Sequence, residues 1–127
     1  MFETELVVRE AGVTYWELVE PLIYRGAEDR FEVAAGFRTD FASVPRPIWP
    51  LIPRTGRYTK AAVVHDWLYA VQLTTRKDAD GIFRRIAREL GANRVRRWAL
   101  YRGVRLGGWH RWNKVLSERR EATSASP

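Results

Sequence analysis

The stretch Ala61-Ala62-Val63-Val64-His65-Asp66-Trp67-Leu68-Tyr69 carries the residues best suited to chemistry. On a helix, His65 and Tyr69 stand about one turn apart, as do Ala62 and Asp66, so the four share one broad face. Small Ala beside His and Asp leaves room for another element to approach. A later segment brings Asp78-Ala79-Asp80. In an antiparallel helix pair, either Asp78 or Asp80 comes near His65. A carboxylate on one imidazole nitrogen fixes the tautomer and raises the basicity of the ring, and the other nitrogen takes a proton from water. Asp66 is a hard oxygen ligand of the kind Ca²⁺ takes. Together these residues would form a metal-assisted hydrolase site with no serine or cysteine nucleophile. The structural alternative is that His65 bridges buried polar groups, Asp66 pairs with an arginine, and Asp78 and Asp80 stabilise a helix N-terminus.

Two further features accompany this one. In Gly36-Phe37-Arg38-Thr39-Asp40-Phe41-Ala42-Ser43-Val44-Pro45, polar and apolar residues interleave. Asp40 and Ser43 either line a site or form the Asx- and ST-turns that hold a corner. The C-terminal part is basic and rich in tryptophan. Arg97, Arg105, Trp109, Arg111 and Trp112 are the candidate contacts for an anionic partner, because indole and guanidinium suit a phospholipid headgroup layer and also base stacking. The alternative is that the tryptophans pack the core and the arginines cover its outside. No helix-turn-helix or RNA-motif signature favours nucleic acid.

The elements that must position these residues fall in two groups. Leu6 to Val8, Tyr15 to Glu20, Leu22 to Tyr24 and Phe31 to Ala34 predict an antiparallel sheet of three or four strands, with a turn at Gly26 to Asp29 and an edge or bulge at Pro21. Residues 38–57 predict a loop, since Pro45, Pro47, Pro50 and Pro53 deny both helix and ladder. Helices follow over about 60–72, 76–90, 94–106 and 109–120, capped by Thr59, by Thr74 or Thr75, and by Asn93. Gly91 stops the second, and Gly107-Gly108 end or kink the third. Strands followed by helices, including an antiparallel helix pair, predict an α+β domain over residues 1–120 with a frayed tail at 121–127.

Composition removes whole classes of function. The 127 residues include no Cys, which excludes cystine frameworks, thiol catalysis and cysteine metal sites. Only His65 and His110 are present, so one chain cannot build a multi-His centre. No apolar run approaches ~18 residues. The N-terminus has no basic segment before an apolar one, which predicts a product made in the cytoplasm without a signal peptide. Charge is uneven: residues 1–75 carry 8 Lys/Arg against 10 Asp/Glu, and residues 76–127 carry 14 against 5. That bias calls for an anionic partner or for a solvated arginine-rich face.

Three motifs in order, residues 36–46, 61–69 and 76–83, resemble the phage and prophage family catalogued as domain of unknown function 1353. The resemblance implies a phage or prophage origin and no defined activity. A shorter likeness, Ala-Ala-x-x-His-Asp-x-x-Tyr followed by Ala-Asp, is similar to the catalytic helices of phospholipase A2. It implies that His65 is the general base, Asp66 a calcium ligand, Tyr69 a support of the dyad and Asp80 the partner of His65. A Gly-rich calcium loop precedes the helix in that family. Here the prolyl segment, with Gly56 alone, would supply the carbonyls, and Asp40 is a second acidic candidate for the ion. Two functions follow: a hydrolase acting on phospholipid or another envelope ester, or a non-catalytic virion component beside other tail-tip or baseplate proteins.

Overall fold

The structure, a computed structural model, describes residues 1–10, 16–39 and 58–125. The Pro-rich segment, with Asp40, Ser43 and Gly56, lies outside the described residues. The chain divides into two compact units, residues 1–41 and 42–127.

The first unit is all β. Strands β1 (Val8–Glu10), β2 (Trp16–Leu18) and β5 (Arg38–Thr39) form one antiparallel sheet in the order β1-β2-β5. Strands β3 (Leu22–Arg25) and β4 (Arg30–Val33) form a second. The run on either side of Pro21 is therefore two strands in two sheets, not one interrupted strand. The ring without an N–H sits at the break, where no ladder bond is asked of it. β5 lies in a stretch expected to be loop; two residues are too few to show a period. In the β3–β4 hairpin, Leu22 faces Val33, both buried, and the Tyr24 ring stacks on Phe31 at 6.2 Å. The turn is closed by the Gly26 N–H donating to the Asp29 carbonyl at 2.8 Å.

The second unit is helical: α1 (Thr59–Val71), α2 (Arg76–Glu89), α3 (Arg94–Gly107) and α4 (Trp109–Ala125). Thr59 is the first residue of α1, not its cap. Tyr58 holds that place without a side-chain bond, and the helix ends on Gln72 in the left-handed region (φ 51°). α2 and α3 start as their sequences predict. Thr75 Oγ1 accepts from the Asp78 N–H and Asn93 Oδ1 from the Arg96 N–H, each satisfying a donor the helix itself leaves open. Gly91 takes φ 104° past the end of α2, a conformation in which a Cβ is strained. α4 runs on to Ala125, so residues 121–125 continue the helix where a tail was expected. Its last turn carries Ala122, Thr123 and Ala125 with no Gly or Pro to stop it.

α1 is buried almost all round, from Ala61 to Asp66 and again at Leu68 and Tyr69. α2 buries only Ala79, Asp80, Phe83, Ile86 and Ala87, one stripe at helical spacing. α2 packs against both α1 and α3, and α4 packs against α1 and α3. α1 is thus the most buried helix of this unit. No described helix is long and apolar enough to cross a membrane.

Candidate active site

The helical unit buries four polar or ionisable side chains, His65, Asp66 and Tyr69 on α1 and Asp80 on α2, of which His65, Tyr69 and Asp80 meet. His65, Tyr69 and Asp80 are each 0% exposed. One carboxylate organises them. Asp80 Oδ1 lies 2.7 Å from His65 Nε2 and accepts from the Tyr69 hydroxyl, also at 2.7 Å. Asp80 Oδ2 accepts from Arg105 at 3.0 Å and from Arg76 at 3.4 Å. An ionised carboxylate only accepts, so the proton of the His65–Asp80 bond sits on Nε2. Two rings fix the plane of the imidazole: Tyr69 with its centroid at 4.4 Å and Phe83 at 4.8 Å.

Electrostatics follow from this geometry. Burial alone would raise the Asp80 pKa. The hydrogen bond and charge of His65, with the bonds from Tyr69 and Arg105, outweigh burial and hold the carboxyl below its ordinary value. Tyr69 moves the opposite way: burial, and then the charge and hydrogen bond of Asp80, push its hydroxyl well above the usual phenol range. It is a permanent donor to Asp80. Tyr69→Phe should therefore cost about 1 kcal/mol of stability and leave the His65–Asp80 contact in place. Chemical denaturation checks the first, and the ¹H shift of the His65 ring N–H the second; loss of that resonance would show that Tyr69 is needed to build the pair.

Asp78, the other candidate partner, is exposed in the first turn of α2 and offers its N–H to Thr75. One residue decides the matter, since Asp80 shares the stripe of Phe83 and Ala87 and Asp78 does not. Asp66 is buried on α1 at 5% exposure. Among the described residues, no group of three His, Cys, Asp or Glu comes together to hold a metal. Asp40 lies outside them.

Two of the expected anionic-partner contacts turn inward instead. Arg105 spends its guanidinium on Asp80, because the end of α3 crosses the start of α2 there. Trp112 packs edge-on against the Tyr69 ring at 5.2 Å, and its carbonyl accepts from Gln72 at 3.0 Å. Trp109 is exposed, while Arg97 and Arg111 are half-buried.

Arg76 and Gly108 belong to the site without being among the candidate site residues; the sequence marks Gly108 only as an end or kink of α3. Arg76 ties the network to the last turn of α3, donating to the carbonyls of Val104 and Arg105, both at 3.2 Å. Its i,i+4 spacing to Asp80 is a signal in the sequence; Arg105, 25 residues away, leaves none. A Cβ on Gly108 would stand 2.4 Å from the Tyr69 hydroxyl, so glycine is what lets the α3–α4 junction close over that ring.

Residues 16–104 match the family described as Protein of unknown function (DUF1353). That span holds His65, Tyr69, Arg76 and Asp80 and stops one residue short of Arg105. The chain is also similar to Uncharacterized protein y4jT of Sinorhizobium fredii, 33% identical over 96 residues, covering 70% of this chain. It spans 28% of the length of that relative. No solved structure matches the chain at a significant level. The agreement runs from the second strand through the helices that build the buried cluster, and on it the chain belongs to the DUF1353 family.

Proposed function

We propose that the protein is a phage- or prophage-encoded His/Asp hydrolase that cleaves an ester of the cell envelope, of the phospholipase A2 type. The observation that supports this most is the commitment of His65 Nε2 to a buried, ionised Asp80. With Nε2 donating to Asp80, a neutral ring has its basic lone pair on Nδ1. His65 is fully buried, so this mechanism requires the core around α1 to open to water and ester; Nδ1 then takes a proton from the water as its oxygen attacks the ester carbonyl. Asp80 balances the imidazolium that forms, and the proton passes to the leaving alkoxide. Arg76 and Arg105 hold Asp80 in the ionised form that this requires. Asp66 is the carboxylate of the helical unit that would contribute to holding a calcium ion. Asp66 by itself does not make a calcium site, and the proton transfer needs only His65 and Asp80.

A second proposal is a non-catalytic virion component at the tail tip or baseplate. Full burial of His65, Tyr69 and Asp80 with mutual hydrogen bonding supports it, since such a network also serves as a pin between α1, α2 and α3.

Fatty-acid release from mixed phospholipid vesicles separates the two. Wild type and His65→Ala are compared with calcium and with a chelator, with folding checked by circular dichroism. The hydrolase gives release that needs calcium and falls by about 10²–10⁴-fold in His65→Ala. No release from folded wild type, or equal release from the variant, would overturn it as a phospholipase. Recovery of the protein in purified phage particles would then favour the virion role.

A further inference from the structure

Helix α3 is apolar on two opposite sides. Leu100 and Val104 face the core. On the other side, Val95 is 75% exposed, Trp98 64% and Leu106 70%, and Trp109, just past the junction, is 53% exposed. Gly108 keeps right-handed helical backbone (φ −80°, ψ −15°) and its N–H donates to the Val104 carbonyl at 2.8 Å, so the last turn of α3 runs up to Trp109. At 3.6 residues per turn these four side chains fall within an arc of about 80°. Exposed Arg102 sits in the middle of that arc.

The charge around the stripe has one sign. Between Glu89 and Glu118 the chain has seven Lys/Arg and no Asp or Glu. Arg105 is bound to Asp80 and Arg96 lies over the Tyr58 ring. Arg102 inside the arc and Arg94 beside it have no carboxylate partner among the described residues; nor have Arg97, Arg111 and Lys114, which lie toward the other sides of their helices.

We propose that the Val95–Trp98–Leu106–Trp109 stripe seats the protein on the surface of an anionic phospholipid bilayer, with Arg102 and its basic neighbours on the headgroup phosphates. Indoles at headgroup level beside aliphatic side chains and arginine suit that boundary. A second copy of the chain fits poorly, because two such faces would bring one uncompensated positive field against another. A nucleic acid strand would use the arginines and indoles but gives Val95 and Leu106 nothing to bury in. The proposal goes beyond hydrolysis: it concerns a different face of the molecule and holds whether or not His65 turns over.

The test is flotation with vesicles of ether-linked phospholipid, which carry no ester to cleave. Docking and turnover therefore fail independently. Wild type should float with equimolar phosphatidylglycerol–phosphatidylcholine vesicles, less so as salt is added, and not with phosphatidylcholine alone. Trp98→Ser/Leu106→Ser should weaken partition by about tenfold or more. Arg102→Glu should weaken it on the anionic vesicles as well. All these side chains are exposed, so thermal unfolding should match that of wild type. Absence of flotation, or undiminished flotation of the double variant, would overturn the proposal. So would a wild-type dimer that the double variant loses, or duplex DNA binding lost in that variant without any vesicle binding.

Discussion

Asp80→Ala lowers folding stability by about 3–5 kcal/mol. The carboxylate accepts from four side chains, and the alanine serves none of them. His65 and Tyr69 are fully buried, so each is left with a polar group that no solvent reaches. Arg76 and Arg105 fare better, since at 19% and 29% side-chain exposure water takes up part of their charge. The cost therefore falls mainly on the imidazole and the phenol. Urea denaturation with a two-state fit measures it. A shift under about 1 kcal/mol would mean that the cluster rearranges around the loss and that Asp80 is not its hub.

Asp80→Asn isolates the charge from the volume. The amide keeps one acceptor oxygen and presents an NH₂ to the other pair of donors, so it satisfies His65 and Tyr69 or the arginines, not both. The acid behaviour follows from the lowered pKa of Asp80. A carboxyl whose pKa is lower in the folded than in the unfolded chain stabilises the fold above its unfolded value. That contribution is lost as the pH falls through the folded value. The wild-type advantage over Asp80→Asn should thus be full above about pH 4 and shrink on further acidification. An advantage that stays constant down to acid unfolding would show that the pairing does not depend on ionisation.

How much of this was legible before the fold was known differs from residue to residue. His65 and Tyr69 belong together by helical spacing alone, and α1 keeps that spacing. Asp80 could be chosen over Asp78 only from its likeness to a known helix pair, because both lie in the first turn and a half of α2 and only packing says which turns inward. The caps at Thr75 and Asn93 were legible because a cap is a local bond. The strands were harder. β1, β2 and β5 are two or three residues long, hardly more than one alternation, and their pairing is set by partners up to 23 positions apart. Arg105 shows the same limit in the site. Its composition and setting read as a surface arginine, and its role is fixed by Asp80, a contact no local pattern encodes.

Gly108→Ala is the second large effect, and its sign rests on sterics alone. The backbone there is αR, so alanine is conformationally welcome and would add about 1 kcal/mol of helix propensity. Space is what is lacking. The new methyl would lie 2.4 Å from the Tyr69 hydroxyl, 2.6 Å from the Val104 carbonyl oxygen and 3.2 Å from Tyr69 Cζ. The hydroxyl is held by Asp80 and the carbonyl by Arg76, so neither neighbour gives way without breaking a bond of the cluster. Either the Tyr69 ring withdraws from Asp80 or the α3–α4 junction opens. Both outcomes cost about 1–3 kcal/mol net of the propensity gain. A double-mutant cycle with Tyr69→Phe tells whether the hydroxyl is the obstacle. Phenylalanine removes the atom at 2.4 Å, so the second substitution should cost less in the presence of the first than in wild type. Strict additivity would place the strain on the Val104 carbonyl instead. A stabilised Gly108→Ala would mean that the junction is looser than the Tyr69–Asp80 geometry requires.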